Sequence, residues 1–204
     1  MHCNGSISAH LQDFKAKMEK VEQERLTEEE IKIILQKKIR NERLAGIKDF
    51  FLFQCFTGLA YIDMQKLGKD DLEIDINGDR WLIIERQKTK TECRIPLLKV
   101  AEDIIKKYSQ HQICIDKGKL LPILSNHKYN CYLKELAAIC GINKTLTTHV
   151  GRRSFASLAL NNGVPAETSI KIIGHSNFNT LHLYAKHDDR KINNDMQPLR
   201  QKFG

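Results

Sequence analysis

The chain contains no apolar run close to the ~20 residues needed to span a bilayer, although 41% of its residues are hydrophobic. Its N-terminal stretch, MHCNGSISAHLQDFKAKMEK, has no apolar segment of the kind that marks a secretory signal peptide. The six cysteines form no C-x-x-C pair, and Cys55 lies within FFLFQCF, where a thiol acts as a small hydrophobic group. These absences argue against a membrane or secreted protein. They predict a cytoplasmic chain without a disulfide framework or a zinc site.

The sequence also lacks internal repeats and low-complexity blocks, and its 204 residues are enough for one sizeable core. What it has in excess is positive charge, since 33 Lys and Arg against 25 Asp and Glu give a net charge of +8. Neutralising phosphates releases condensed counterions, so a basic chain favours a polyanionic partner. Charge alone leaves two alternatives open, a nucleic-acid-binding protein and a soluble protein that is merely basic.

The first half of the chain begins with helical periodicity. LTEEEIKIILQKKIRN predicts a helix, because Thr27 and Glu30 form a capping box and acidic residues fill the first turn. Lys37, Lys38 and Arg40 are expected to fill its last turn. ERLAGIKDFFLFQCFTGLA is apolar on most sides, which predicts a deeply buried helix ended by the glycine of FTGL. A short helix, YIDMQKLG, follows.

The period then becomes alternating. DLEIDI and RWLIIERQ flank Asn77-Gly78, the dipeptide most typical of a hairpin turn, and ECRIPL supplies a third strand. KVAEDIIKKYSQ, HKYNCYLKELAAIC, GRRSFASLALNNG and PAETSIKIIGH predict helices, and a further short helix holds Tyr184. The expected fold class is mainly α with a small three-stranded antiparallel sheet (α+β). Residues 1–22 are expected to lead into one domain over 23–187, and the polar segment 188–204, with Pro198, is predicted to be a loose tail.

Three separated stretches contain side chains suited to chemistry on an anion. In TTHVGRRS, His149 is expected to precede a helix, with Arg152 three residues later in its first turn. That spacing directs both side chains to one side of a helix N-terminus, where free N–H groups and the helix dipole attract anions. The alternative is that both side chains form ordinary caps or surface pairs.

The second stretch is ERQKTK and the third is GHSNFNTLHLYAK. On a strand, residues two apart share a face, so Arg86 and Lys88 are expected to project together, unless they form a solvated hairpin tip. His175 lies at the end of a predicted helix, where a structural hydrogen-bonding role is the alternative to chemistry. Tyr184 follows nine residues later. Taken alone it is typical of core packing, because aromatic side chains bury large areas.

The order and spacing of these stretches resemble the catalytic domain of tyrosine recombinases, the phage integrase family. The resemblance covers residues 26–186 and rests on FTGL, QKTK, THVGRRSFAS and GHSNFNTLHLYAK. The motifs look most similar to those of integrases from bacterial mobile elements. The resemblance implies the recombinase catalytic-domain fold and an enzyme that cuts and rejoins DNA, with Tyr184 as the nucleophile.

The resemblance also implies a role for each remaining residue. In this chemistry a Tyr oxygen attacks phosphorus and forms a covalent 3′-phosphotyrosine. Negative charge on the non-bridging oxygens requires fixed donors, with Arg152 as a bidentate clamp. His149 and His175 would bond the same phosphate or assist the proton of Tyr184. Lys88 would donate a proton to the departing 5′-oxygen. No cofactor and no metal are implied.

One family position is not filled. After TGL most members carry the first of two phosphate-binding arginines, whereas this chain has Ala60, and the family acid falls at Asp63. Two explanations stay open. Either another arginine reaches the phosphate, with Arg86 as the main candidate and Arg80 as the weaker one, or the site is impaired and the protein only binds DNA. Arg153 stands where many relatives have a second histidine, which is a milder departure.

Family members usually carry a helical core-binding domain of ~100 residues ahead of the catalytic domain. About 25 residues precede the first predicted helix here, so an excised domain or a truncated gene product is expected. The implied partners are double-stranded DNA and further copies of the chain in a tetrameric synapse, in the bacterial cytoplasm at the nucleoid and not at a membrane. Two other functions stay open: a non-catalytic DNA-binding module, and a DNA-relaxing enzyme similar to type IB topoisomerases.

Overall fold

The computed structural model describes residues 24–174 and 189–203. Over these ranges the fold is mainly α with one small sheet, as the sequence predicts, while the predicted helix around Tyr184 lies outside the described residues. The elements follow in the order α1 Glu28–Gln36, α2 Glu42–Thr57, α3 Tyr61–Lys66, a 3₁₀ helix Lys69–Asp71, β1 Leu72–Ile74, β2 Arg80–Glu85, β3 Glu92–Pro96, α4 Lys99–Tyr108, α5 Gln112–Lys117, α6 Asn126–Cys140, α7 Thr148–Asn161, α8 Ala166–Ile173 and α9 Asp189–Phe203.

Helix α1 confirms its predicted start but not its predicted end. The capping box is present, with the Thr27 side chain accepting from the Glu30 N–H and the Glu30 carboxylate accepting from the Thr27 N–H. The helix stops at Gln36, so the three basic residues expected in its last turn lie beyond it. Lys48 of α2 donates to the carbonyl of Lys37 at 3.0 Å. The end of α1 is therefore stabilised by a tertiary contact rather than by its own basic residues.

Helix α2 is the central helix of the core. Its residues are buried on most sides because α1, α4, α6 and α7 pack around it. Burying a large apolar side chain contributes about 1.5–3 kcal/mol, so the run of phenylalanines in FFLFQCF anchors the domain. Gly58 ends the helix in the left-handed conformation at φ 67°, as predicted.

The three strands form an antiparallel sheet in chain order. Leu82 pairs with Ile95 and Ile84 with Cys93, and all four side chains are buried. This is the alternation that the sequence shows, with one face of the sheet against the core. Gly78 at φ 86° forms the predicted turn between β1 and β2.

The helices after residue 98 follow the prediction with two differences. Helices α4, α6, α7 and α8 form from the four predicted stretches, while α5 was not predicted. Helix α7 begins at Thr148, three residues earlier than predicted, because the side chain of Thr147 caps it by accepting from the Val150 N–H. This shift places His149 inside the first turn of the helix.

The segment predicted to be a loose C-terminal tail contains a helix, α9, over residues 189–203, which the sequence did not predict. Pro198 lies inside this helix, where it removes one backbone hydrogen bond. The residues around it, MQPLRQK, are otherwise good helix formers. Met196, Leu199 and Phe203 are exposed and lie at helical spacing, so they form an apolar stripe.

Within the described ranges, no helix combines the length and the apolar character that crossing a bilayer requires.

Candidate active site

Helix α7 presents two of the predicted residues on one face. His149 and Arg152 are three positions apart within the helix, a spacing that places side chains side by side. The prediction that His149 precedes the helix is wrong, because it occupies the second helical position. The N–H groups of Thr148 and Val150 already bond side chains of the protein. The groups that this helix end offers to an anion are therefore chiefly side chains.

Arg152 joins two distant parts of the fold. Its Nη1 donates to the carbonyl of Gly58 at 2.6 Å, and its Nη2 donates to the carbonyl of Ile173 at 2.8 Å. Position 58 has no room for a side chain, since a Cβ there would lie 2.5 Å from Cδ1 of Phe155. The guanidinium is thereby held between the end of α2 and the end of α8.

Arg86 reaches the same acceptor as Arg152. Its Nη1 pairs with the Asp63 carboxylate at 2.6 Å, with both side chains almost fully buried at 3% and 5% exposure. Its Nη2 donates to the carbonyl of Ile173, which Arg152 also contacts. The structure therefore brings two guanidinium groups from distant segments to one oxygen atom.

The prediction that Arg86 and Lys88 share one face of a strand is wrong. Strand β2 ends at Glu85, and residues 87–89 form a turn. The Arg86 N–H donates to the Thr91 carbonyl, and the Lys90 N–H donates to the Arg86 carbonyl. Arg86 is buried beneath this turn while Lys88 is exposed at it. Alternation of side chains applies to a strand and not to a turn, so the two residues do not share a face.

Asp63 organises this turn from α3. Its Oδ2 holds Arg86, and its Oδ1 accepts from the N–H of Gln87 at 3.0 Å. The backbone that carries Lys88 is thereby fixed one residue before it. Two groups in this arrangement were not predicted, the Gln87 N–H and the Ile173 carbonyl. Both are backbone groups, which have no signature in the sequence.

His149 lies in a field of positive charge. Although His149 is exposed by surface area, partial desolvation by the surrounding protein lowers its pKa below the usual 6.5, and the charges of Arg153, Arg152 and Lys88 lower it further. His149 is thus neutral at pH 7, with one ring nitrogen free to accept a proton. The influence of Lys88 means that the turn after β2 and the start of α7 share one electrostatic environment.

The residues that the structure describes contain no group of three or more His, Cys, Asp or Glu side chains that could hold a metal ion.

A model of the phage integrase family matches residues 24–191. The chain belongs to the phage integrase family. The XerD tyrosine recombinase of Listeria innocua is 26% identical over 148 residues, which cover 68% of this chain and 50% of that protein. The chain therefore spans about half the length of this curated relative.

Two solved structures share the fold. The XerH site-specific recombinase bound to its difH substrate superposes with a TM-score of 0.67 at 17% identity, covering 86% of this chain and 54% of that one. The Tn1549 transposon integrase in complex with circular intermediate DNA gives a TM-score of 0.60 at 17% identity, covering 86% and 66%. The helical domain with its three-stranded sheet is thus the tyrosine recombinase catalytic-domain fold.

The departure from the family pattern is located at the start of α3. Ala60 is the N-cap of that helix and follows closely after Gly58, whose carbonyl receives Arg152. Arg80 does not fill the gap, because it begins β2 at the opposite end from Arg86, roughly 20 Å away along the strand. Of the two arginines predicted as replacements, the structure brings Arg86 to Arg152 and leaves Arg80 distant.

His175 and Tyr184 lie outside the described residues, but the glycine before them is described. Gly174 ends α8 at φ 67°, and a Cβ there would lie 2.5 Å from Cys93 Sγ and 2.9 Å from Arg86 Nε. The chain therefore enters the segment that carries both residues directly beside Arg86.

We expect Gly174→Ala to lower the melting temperature by about 4 °C or more, because the left-handed conformation costs an L-residue about 1–2 kcal/mol and the new methyl group clashes. Gly163→Ala is the matched control, since Gly163 also has a positive φ of 82° but no atom within 4 Å of an added Cβ. Differential scanning calorimetry of both variants measures the difference. Equal losses would show that the contact with Cys93 and Arg86 is not tight.

Proposed function

We propose that this chain is the catalytic domain of a site-specific DNA recombinase or integrase, which cuts and rejoins duplex DNA through a covalent 3′-phosphotyrosine. The observation that carries the proposal is the convergence of Arg86 and Arg152 on the carbonyl oxygen of Ile173. A non-bridging phosphate oxygen that replaced this carbonyl would accept hydrogen bonds from both guanidinium groups. Such paired, charge-assisted donors are what the transition state of phosphoryl transfer requires.

Arg86 takes the part of the arginine that Ala60 lacks. Asp63 holds Arg86 from behind through Nη1, which leaves its Nη2 edge directed toward Arg152. The buried Nε of Arg86 has no hydrogen-bond partner in the described part of the chain. A buried donor without a partner is costly, and a bound phosphate close to Gly174 would offset that cost.

We assign complementary tasks to the remaining predicted residues. Tyr184 supplies the attacking oxygen, and His149 and His175 bond the phosphate or move the phenolic proton. Lys88, exposed on the turn that Asp63 fixes, protonates the departing 5′-oxygen. In the proposed reaction these positive groups stabilise the negative charge of the transition state, and no metal ion takes part.

The partners we propose are duplex DNA and further copies of the chain assembled on it as a tetramer. The net charge of +8 favours the first. The apolar stripe of α9, formed by Met196, Leu199 and Phe203, supports the second, because exposed apolar side chains at helical spacing suit a helix that packs on another protomer.

The test is covalent capture on a pool of nicked duplexes with a randomised core, from which the released fragment cannot re-ligate. We expect DNA that stays attached to the protein under denaturing conditions and whose linkage maps to Tyr184 by mass spectrometry. Salt-dependent binding without any adduct would instead establish a non-catalytic DNA-binding module. Relaxation of plasmids without site preference would point to a topoisomerase-like enzyme.

We expect DNA affinity to rise as the pH falls toward the lowered pKa of His149, by up to about tenfold per pH unit. The pKa of His149 is lowered in the free protein by burial and by the charges of Arg153, Arg152 and Lys88, and a bound phosphate raises it. Binding therefore takes up a proton between the two pKa values.

Fluorescence anisotropy at constant salt measures this slope, which His149→Gln should flatten. The control is His111→Asn, which removes an imidazole that caps α5 and replaces it with a good N-cap residue. A slope that His149→Gln leaves unchanged would contradict a phosphate contact at this position.

A further inference from the structure

Asn130 connects α6 to the first turn of α7. Its Oδ1 accepts from the N–H of Thr148 at 3.1 Å, in a partly buried position. Thr148 is the first residue of α7 and immediately precedes His149. The N–H of a first helical residue has no partner within its own helix, so a side chain from elsewhere that accepts from it fixes where the helix starts.

The amide of Asn130 is itself oriented. Its Nδ2 donates to the backbone carbonyl of Asn126 at 2.9 Å and to the Asn126 side-chain oxygen at 2.7 Å. With the nitrogen engaged on α6, the oxygen can point only toward α7. Tyr129, the neighbouring residue, is fully buried and fixes the rotation of α6. Asn130 is therefore a rigid link between the two helices.

Arg152 and His149 differ in how much they depend on this link. Arg152 is bonded to the carbonyls of Gly58 and Ile173, and Gly151 packs against Gln54 of α2. His149 is exposed on the first turn, ahead of these contacts. Loss of the link should move the imidazole and leave the guanidinium in place.

We propose that Asn130 is a positioning residue for His149, holding the first turn of α7 so that the imidazole meets the scissile phosphate. The proposal rests on the recombinase function proposed above. It differs from a purely structural role, which would alter stability without altering the environment of one histidine in the folded protein.

The test compares Asn130→Leu, which keeps the size of the side chain and removes its hydrogen bonds, with Asn126→Ala and Asn162→Leu. Asn126→Ala should have a smaller effect, because Asn130 Nδ2 can still bond the Asn126 carbonyl. Asn162→Leu is the matched control, since Asn162 also bonds a backbone carbonyl but lies at the opposite end of α7. Asn130→Asp retains an acceptor for the Thr148 N–H and serves as the conservative variant.

The first readout is the pKa of His149, followed by NMR and assigned by comparison with His149→Gln. In Asn130→Leu we expect this pKa to rise toward 6.5, because the imidazole loses its partial desolvation and leaves the field of Arg153, Arg152 and Lys88. The second readout is single-turnover cleavage, which should fall about tenfold or more with DNA affinity changed less than about twofold. Asn130→Asp should recover part of this loss.

An unchanged His149 titration in folded Asn130→Leu, or cleavage equal to that of Asn162→Leu, would overturn the proposal. If the unmodified chain formed no covalent complex, the proposed function would fail while the NMR titration still decided whether Asn130 positions His149.

Discussion

Tyr184→Phe is expected to abolish covalent capture of DNA completely while leaving the fold and the DNA affinity unchanged. In the proposed reaction the phenolic oxygen forms a bond to phosphorus as the bond from phosphorus to the 5′-oxygen breaks. The phenolic proton passes to a histidine, and the departing oxygen receives a proton from Lys88. Phenylalanine has no oxygen to form the ester.

The measurement is the fraction of nicked duplex that remains bound to protein after denaturation, with binding measured separately by anisotropy. Tyr132→Phe is the matched control, because Tyr132 is a half-buried tyrosine on α6 whose ring lies 4.0 Å from the Arg43 guanidinium carbon. That variant should form the covalent complex normally. Capture that persists in Tyr184→Phe would remove Tyr184 as the nucleophile and require another hydroxyl or carboxylate to be found by mass spectrometry.

Arg86→Lys is expected to reduce the cleavage rate by about 10²–10³-fold, which is the usual cost of losing one donor to a developing oxyanion. Lysine can still pair with Asp63, so the buried carboxylate keeps a partner and the domain should remain folded. It cannot also reach the acceptor shared with Arg152, because an ammonium lacks the forked geometry of a guanidinium. DNA affinity should change little, since many phosphate contacts contribute to it.

Two further variants make this prediction specific. Arg94→Lys is the control, because Arg94 is an exposed arginine of β3, and it should cleave normally. Ala60→Arg in the Arg86→Lys background restores a guanidinium where most family members carry one, and it should recover much of the lost rate. Near-normal cleavage by Arg86→Lys would eliminate Arg86 as the replacement.

Arg86→Ala should behave differently from Arg86→Lys. Removing the guanidinium leaves the Asp63 carboxylate buried without its cation, which typically destabilises a protein by about 3–5 kcal/mol. Chemical denaturation would therefore show a large loss of stability for the alanine variant and a small one for the lysine variant. This difference separates the role of Arg86 in the fold from its role toward phosphate.

The sequence by itself determined the parts of this protein that depend on local pattern. Helical and alternating periodicity predicted the order of the strands and of the helices other than α5 and α9, and the capping box predicted the start of α1. The spaced motifs predicted the family, because their order and spacing along the chain can be compared without a structure. The sequence also predicted that His149 and Arg152 lie on one side of the start of α7, although the structure places His149 inside the helix.

The tertiary structure alone decided where Arg86 lies and what it contacts. Sequence reasoning placed it on a strand beside Lys88, whereas the chain turns after Glu85 and buries Arg86 against Asp63. Its meeting point with Arg152 is a backbone carbonyl, and the link from Asn130 to Thr148 ends on a backbone N–H. Every residue except proline has both groups, so only the packing of distant segments selects which of them line the site. For that reason the motif residues could be predicted from the sequence, while the contacts that orient their side chains could not.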